Sequence, residues 1–184
     1  MFLNRERFLR AFSILFAASL ALMIAHVIDD TFVGEAGWWG VSVAEFLLFN
    51  ALLYLTAPPL GFFLARRGNA LGFGIVLLYA LQAFYGGGLN HVRHLMGDFR
   101  GSQLLPSLLQ SAGIQIGQVS GRGLLTGVLW LFGLGTTPPH SHTLFSNVLV
   151  FLAIGVNLAL ILFCVVGLFT SRRTKSGMST PSGG

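Results

Sequence analysis

The residues of this chain that are best suited to chemistry are histidines and carboxylates at helical spacing. His26, Asp29 and Asp30 stand at positions i, i+3 and i+4, which places them on one face of a helix. His91 and His94 are related in the same way if the glycines before them leave the helix intact. Mixed imidazole and carboxylate ligands suit transition metals. The candidate metal ligands are His26, Asp29, Asp30, Glu45, His91, His94 and Asp98.

The helices that would carry these ligands place them at a common depth. Counted from the basic residues at the other end of each helix, His26 lies about 24 Å away and Glu45 about 32 Å away. His91 and His94 lie about 35–39 Å beyond the start of a third helix. Because a bilayer core is about 30 Å thick, these side chains are expected near the same membrane boundary.

A cluster of this kind is compatible with two types of cofactor. A Zn, Fe, Mn or Cu ion with an open coordination position would serve hydrolysis or oxidation. Alternatively, His26 with His91 or His94 could be the axial pair of a haem. His140 and His142 are predicted to point to opposite sides of an extended stretch, so that only one joins the cluster. Whether the protein is an enzyme stays open at this point.

The composition indicates an integral membrane protein. Hydrophobic residues make up 54% of the 184 residues and charged residues only 9%, whereas a soluble domain carries roughly 25% charged residues. This excludes the soluble, disordered, fibrous and disulfide-rich classes, and the lone Cys164 cannot form an internal disulfide. The net charge of +5 comes from residues placed as membrane topology requires, so nucleic acid is not an expected partner.

The predicted fold is all-α, an integral membrane bundle of four transmembrane helices in a single domain over residues 1–170. The spans are predicted at 8–28, 41–65, 70–89 and 144–170. Pro58 and Pro59 predict a kink in the second span. Asn50 and Asn157 are expected to form interhelical hydrogen bonds. Close helix packing is expected at Gly72, Gly74, Gly155 and Gly167.

The segment 90–143 is predicted to form an outer cap with amphipathic and re-entrant helices. Apolar residues recur at helical spacing within 102–119. The apolar stretch 123–135 is short for a transmembrane span. If it is counted as a membrane crossing, the alternative is a bundle of five spans. Residues 171–184 are predicted to be a disordered cytoplasmic tail. The first span also resembles a signal peptide, so its cleavage stays open.

Basic residues set the predicted orientation. Eight of the eleven basic residues precede the first span, lie between the second and third, or follow the fourth. The other three, Arg93, Arg100 and Arg122, fall in the segment 90–143. The positive-inside rule then places both termini in the cytoplasm and the histidines outside, with the plasma (inner) membrane as the expected location.

Three functions are compatible with this layout. The first is an outward-facing metal or haem site, hydrolytic or redox. The second is a structural or assembly subunit of a larger membrane complex, and the third is a small transporter or proton-conducting protein. The expected partners are the lipid bilayer and either other membrane subunits or further copies of the chain.

Overall fold

A computed structural model of the chain describes residues 4–99, 104–115, 117, 121–131 and 134–176. Within these residues the regular structure is helical and no strand occurs. In chain order the helices are α1 (Arg5–Val33), α2 (Glu35–Trp39), α3 (Val43–Leu55), α4 (Ala57–Arg66), α5 (Ala70–Phe84), a π-helical turn (Tyr85–Leu89), α6 (Asn90–Leu95), α7 (Leu104–Ser111), α8 (Leu124–Leu131) and α9 (Leu144–Ser176).

Four helical segments are long and apolar enough to cross a membrane. They are Arg5–Val33, Val43–Arg66, Ala70–Leu95 and Leu144–Ser171. Each contains most of one predicted span, and the third continues six residues beyond its predicted end. The last helix continues to Ser176, into the segment predicted to be disordered, whereas residues 177–184 lie outside the described part of the chain. These four apolar helices are compatible with a helical membrane protein.

The second of these segments is interrupted where the two prolines predict a kink. Helix α3 ends at Leu55, and α4 begins at Ala57 with Pro58 in its first turn. Proline has no backbone N–H, so carbonyl groups of the preceding turn lose their usual donors. The hydroxyl of Thr56, which lies between the two helices, donates to the Leu52 carbonyl at 2.6 Å.

Helices α1, α5 and α9 are joined by a buried polar network. Ser19 Oγ donates to Asn157 Oδ1 at 2.6 Å and lies 2.8 Å from the hydroxyl of Tyr79. The expected interhelical role of Asn157 is thus confirmed. Asn50 differs, because its amide donates to the Phe46 carbonyl of its own helix at 2.9 Å.

Small residues bring neighbouring helices together at two of the four predicted glycines. A Cβ atom at Gly72 would clash with the backbone nitrogen of Ala65, so α4 and α5 touch backbone to backbone. One at Gly167 would clash with the ring of Phe73. At Gly74 and Gly155 a Cβ would have no neighbour within 4 Å, so the prediction of close packing is wrong there.

The run Gly86–Gly88 does not break the third segment. It forms the π-helical turn, and the helix continues into α6. A Cβ at Gly87 would lie 2.6 Å from Met23 Cε, and one at Gly88 would lie 2.7 Å from Ile154 Cγ1. The glycines therefore allow this helix to approach α1 on one side and α9 on the other.

The described part of the connection between the third and fourth segments contains two short helices. Helix α7 ends where Gly113, with a φ of 78°, allows the Ile114 amide to bond the Leu109 carbonyl. The amphipathic helix predicted over 102–119 is therefore shorter than expected, and residues 102, 103, 116, 118 and 119 lie outside the described part. Helix α8 packs on α2, where a Cβ at Gly127 would meet the ring of Trp39.

Candidate metal centre

All five histidines of the chain lie in one continuous cluster. The ring centroids of His26 and His91 are 4.5 Å apart, and those of His91 and His94 are 5.3 Å apart. The ring of His142 lies 5.2 Å from that of His91, and His140 lies 4.6 Å from His142. The cluster therefore joins α1, α6 and the segment that enters α9, at one end of the bundle.

One group within the cluster consists of His26, Asp30 and His91. His26 and Asp30 are one helical turn apart on α1, and His26 Nε2 lies 3.5 Å from Asp30 Oδ2. His26 Nε2 also lies 3.2 Å from His91 Nε2. Two ligands bonded at about 2.0–2.1 Å to one tetrahedral ion would be roughly 3.3 Å apart. These separations therefore match those of ligands that share an ion.

The close approach of α6 to α1 depends on the glycine run. A Cβ at Gly87 would lie 3.4 Å from His26 Cδ2 as well as against Met23. Without a side chain at this position, the histidine on α1 can pack directly on the π-helical turn. His91, one turn further along, then faces His26.

Glu35 lies beside this site, although it is not among the ligands predicted from the sequence. Gly34, with a φ of 95°, ends α1 and turns the chain into α2. Glu35 consequently folds back beside Asp30, with which it shares a hydrogen bond, and it accepts a bond from Trp39 Nε1 at 3.1 Å. Burial raises the pKa of Glu35 well above its usual range, and the carboxylate of Asp30 adds to this shift. The protonated form of the Glu35 carboxyl is therefore favoured, and in that form it can donate to Asp30.

A second group consists of His91, His94 and His142. One potential ligand atom from each of these side chains lies within 4.8 Å of the others. His94 Nε2 lies 3.4 Å from Thr137 Oγ1, which fixes the orientation of that ring. Burial, together with the neighbouring His140, lowers the pKa of His142 to about 4, so this ring is neutral at pH 7 and able to bind a metal.

The expectation that His140 and His142 point to opposite sides is wrong. Their Nε2 atoms lie 2.9 Å apart. The strand pleat that underlies the expectation does not apply, because this segment is not part of a sheet. Instead His140 is held by its Nδ1, which donates to the Pro138 carbonyl at 2.8 Å, and by packing on the ring of Trp38.

Three of the predicted ligands are not brought into either group. Asp29 is half-buried beside Asp30 but belongs to neither. Glu45 is exposed and accepts hydrogen bonds from the amide and hydroxyl of Ser42, with which it forms the capping box of α3. Asp98 forms an ion pair with Arg93. Glu45 and Asp98 therefore have structural partners.

The buried histidines have unused ligand atoms. Within the described part of the chain, the Nδ1 atoms of His26, His91 and His94 are buried and have no hydrogen-bond partner. Buried polar atoms without a partner are rare in proteins, and a missing ion or water is a common explanation. The donor set and these free atoms fit a transition metal.

A haem does not fit the same residues. Its axial nitrogens would lie roughly 4 Å apart on opposite sides of the iron, with bonds near 2 Å. His26 Nε2 and His91 Nε2 are 3.2 Å apart and in direct contact. His91 lines two cavities and His26 lines one of them, and each cavity has a volume of about 20 Å³, which is room for one water molecule.

The site geometry is the basis for assigning a function, because the comparisons provide no relative. No family model, curated protein or solved structure matches this chain.

Proposed function

We propose that the protein binds a divalent transition-metal ion through His26, Asp30 and His91 and uses it to hydrolyse a substrate at the membrane surface. The observation that carries this proposal is the pair of separations at His26 Nε2, 3.2 Å to His91 and 3.5 Å to Asp30. Two histidines and one carboxylate form the ligand set of many catalytic zinc sites, which keep a fourth position open. A zinc-type ion in such a site supplies an acidified water and polarises the bond that is attacked.

The residues around the site support hydrolysis rather than storage of the metal. Glu35 and His91 line both of the small cavities beside the cluster. Burial favours the protonated form of the Glu35 carboxyl, in which it can deliver a proton to a leaving group. Its hydrogen bond to Asp30 also orients the carboxylate that would ligate the metal.

We further propose that the centre lies at the outer membrane surface in a bundle of four spans. At the opposite end of the bundle, Arg5 and Arg67 line a cavity together with the end of the membrane-spanning part of α9. The positive-inside rule assigns that basic end to the cytoplasm, with both termini. The described part of the segment 90–143 then covers the outer end of the bundle, where α8 packs on α2.

Metal analysis of the full chain tests the proposal. The protein is purified in detergent, stripped with a chelator, loaded with Zn²⁺ and washed. We expect at least one tightly bound equivalent, which is lost in His26→Gln and retained in Asp29→Asn, the matched control next to Asp30. Wild-type protein that retains less than about 0.2 equivalents would overturn the proposal.

Hydrolysis is tested separately with p-nitrophenyl acetate as the probe. The loaded wild type should hydrolyse the ester faster than the stripped protein. Glu35→Gln should lose this difference while it keeps its zinc, because Gln cannot deliver the proton. If Glu35→Gln hydrolyses the ester as fast as the wild type, Glu35 takes no part in the reaction. If the loaded and stripped wild type hydrolyse it at equal rates, the bound metal is not catalytic and the protein only binds it.

A further inference from the structure

We propose that the centre holds two metal ions and that His91 bridges them. The first ion is that of the proposed function, on which this inference rests. The second would be bound by His91, His94 and His142, whose potential ligand atoms lie within 4.8 Å of one another. His91 is the residue that the two groups share.

Hydrogen bonding leaves the same ring nitrogen free on each of the three histidines. His91 directs Nε2 toward His26, and His94 directs Nε2 toward Thr137. The Nδ1 atoms of both rings are buried and have no partner among the described residues. These two nitrogens are therefore available for an ion other than the one beside His26.

The tautomer of His142 follows from its neighbour. A carbonyl oxygen can only accept, so His140 Nδ1 carries the hydrogen that is donated to Pro138. In the neutral ring, His140 Nε2 is then the acceptor for Nε2–H of His142. This leaves a lone pair on His142 Nδ1, the third free nitrogen of the group.

The cavity beside the first group is lined by all three of its proposed ligands, His26, Asp30 and His91. A second cavity is lined by His91 and His94 but not by His142, so it adjoins two of the three ligands of the second group. Each has a volume of about 20 Å³. His91 and Glu35 stand between them, since both residues line both cavities.

Bridging requires that His91 lose the one proton that its neutral ring carries. Coordination of the second ion replaces the remaining ring proton of His91, which passes to solvent, and the ring becomes an imidazolate. With metal–nitrogen bonds near 2.0 Å at both ring nitrogens, the two ions would be about 6 Å apart. The hydroxyl of Thr137 would accept from His94 and hold that ring in place, as partners of ligating histidines commonly do.

The test is the number of Zn²⁺ ions bound by the full chain in detergent. We expect two equivalents in the wild type, one in Asp30→Asn, one in His142→Gln and none in His91→Gln. Asp29→Asn should keep two. His142→Gln changes a residue between helices, and its melting temperature after removal of metal shows whether the fold is intact.

Each result decides between the two proposals. One bound Zn²⁺ per wild-type chain would overturn the proposal of a second ion. Two bound Zn²⁺ ions in a folded His142→Gln protein would do the same. Either result leaves the proposed function unaffected. No bound zinc in the wild type overturns both. With Cu²⁺ as the probe, a shared His91 predicts magnetic coupling between the ions, which weakens the electron paramagnetic resonance signal of the doubly loaded wild type. A full-intensity signal from two bound Cu²⁺ ions would overturn the bridge.

Discussion

Substitution of Asp30 by Asn tests whether the carboxylate beside His26 is a ligand or a structural acid. The side chain keeps its size, and its oxygen can still accept the hydrogen bond from Glu35, so the metal-free protein should melt close to the wild type. What is lost is the anionic oxygen 3.5 Å from His26 Nε2. The effect should therefore appear only when metal is present.

The size of that effect follows from linkage between binding and folding. At a free metal concentration of 100 Kd, binding contributes about 2.7 kcal/mol to the free energy of unfolding. Loss of a group that merely orients a ligand weakens metal binding about 10–100-fold, and a ligand should count for at least as much. A 100-fold weaker site at the same concentration contributes about 0.4 kcal/mol. The difference of about 2.3 kcal/mol corresponds to about 5–9 °C in Tm for a chain of this length.

The assay is thermal unfolding in detergent with and without Zn²⁺. The zinc-dependent rise in Tm should be smaller in Asp30→Asn than in the wild type by that amount. Asp29→Asn removes the neighbouring carboxylate and should retain the full rise. An equal zinc-dependent rise in Asp30→Asn and wild type would refute Asp30 as a ligand, even if both proteins bind metal.

Three further outcomes concern the bundle and its orientation. Gly72→Ala should destabilise the protein by about 1–3 kcal/mol, because the new methyl group meets the backbone of α4. Gly74→Ala on the same helix has open space around it and should be neutral or stabilising. Thermal unfolding of the two variants compares these effects. Asn157→Ala removes the acceptor of the hydrogen bond between α1 and α9 and should cost about 1–3 kcal/mol in the same assay. Ser141→Cys in a Cys164→Ala background should react with a membrane-impermeant maleimide on intact cells, and the absence of labelling there with labelling after lysis would invert the proposed orientation.

The sequence predicted which end of each helix would carry the polar cluster. The common depth of His26, His91 and His94 required only the rise of a helix and the positions of the basic residues. The four long helices followed from hydropathy in the same way. Helix rise, hydropathy and the positions of basic residues are local properties of the sequence, so they can be predicted without knowledge of how the helices pack.

The remaining parts of the site depend on backbone turns and tertiary contacts. Glu35 joins the cluster because Gly34 takes a left-handed conformation and folds α2 back on α1. A glycine directly after the first span was the one feature of the sequence that could have indicated this turn. His142 joins because its neighbour His140 is held on Trp38 and Pro138. Glu45 was expected at the site from its depth alone, but its role in capping α3 turns it elsewhere.

The π-helical turn also has a consequence for the angular register of the third segment. Each residue of an α-helix advances the chain by about 100° around its axis, and a π-helical turn accommodates an additional residue. The direction in which His91 and His94 point is thus uncoupled from the apolar stripe of α5. If this turn adopted α-helical geometry with all of its residues retained, both imidazoles would swing about 100° around the axis while α5 kept its packing against α4 and α9. The π-helical geometry of the glycine run therefore sets the direction of these rings.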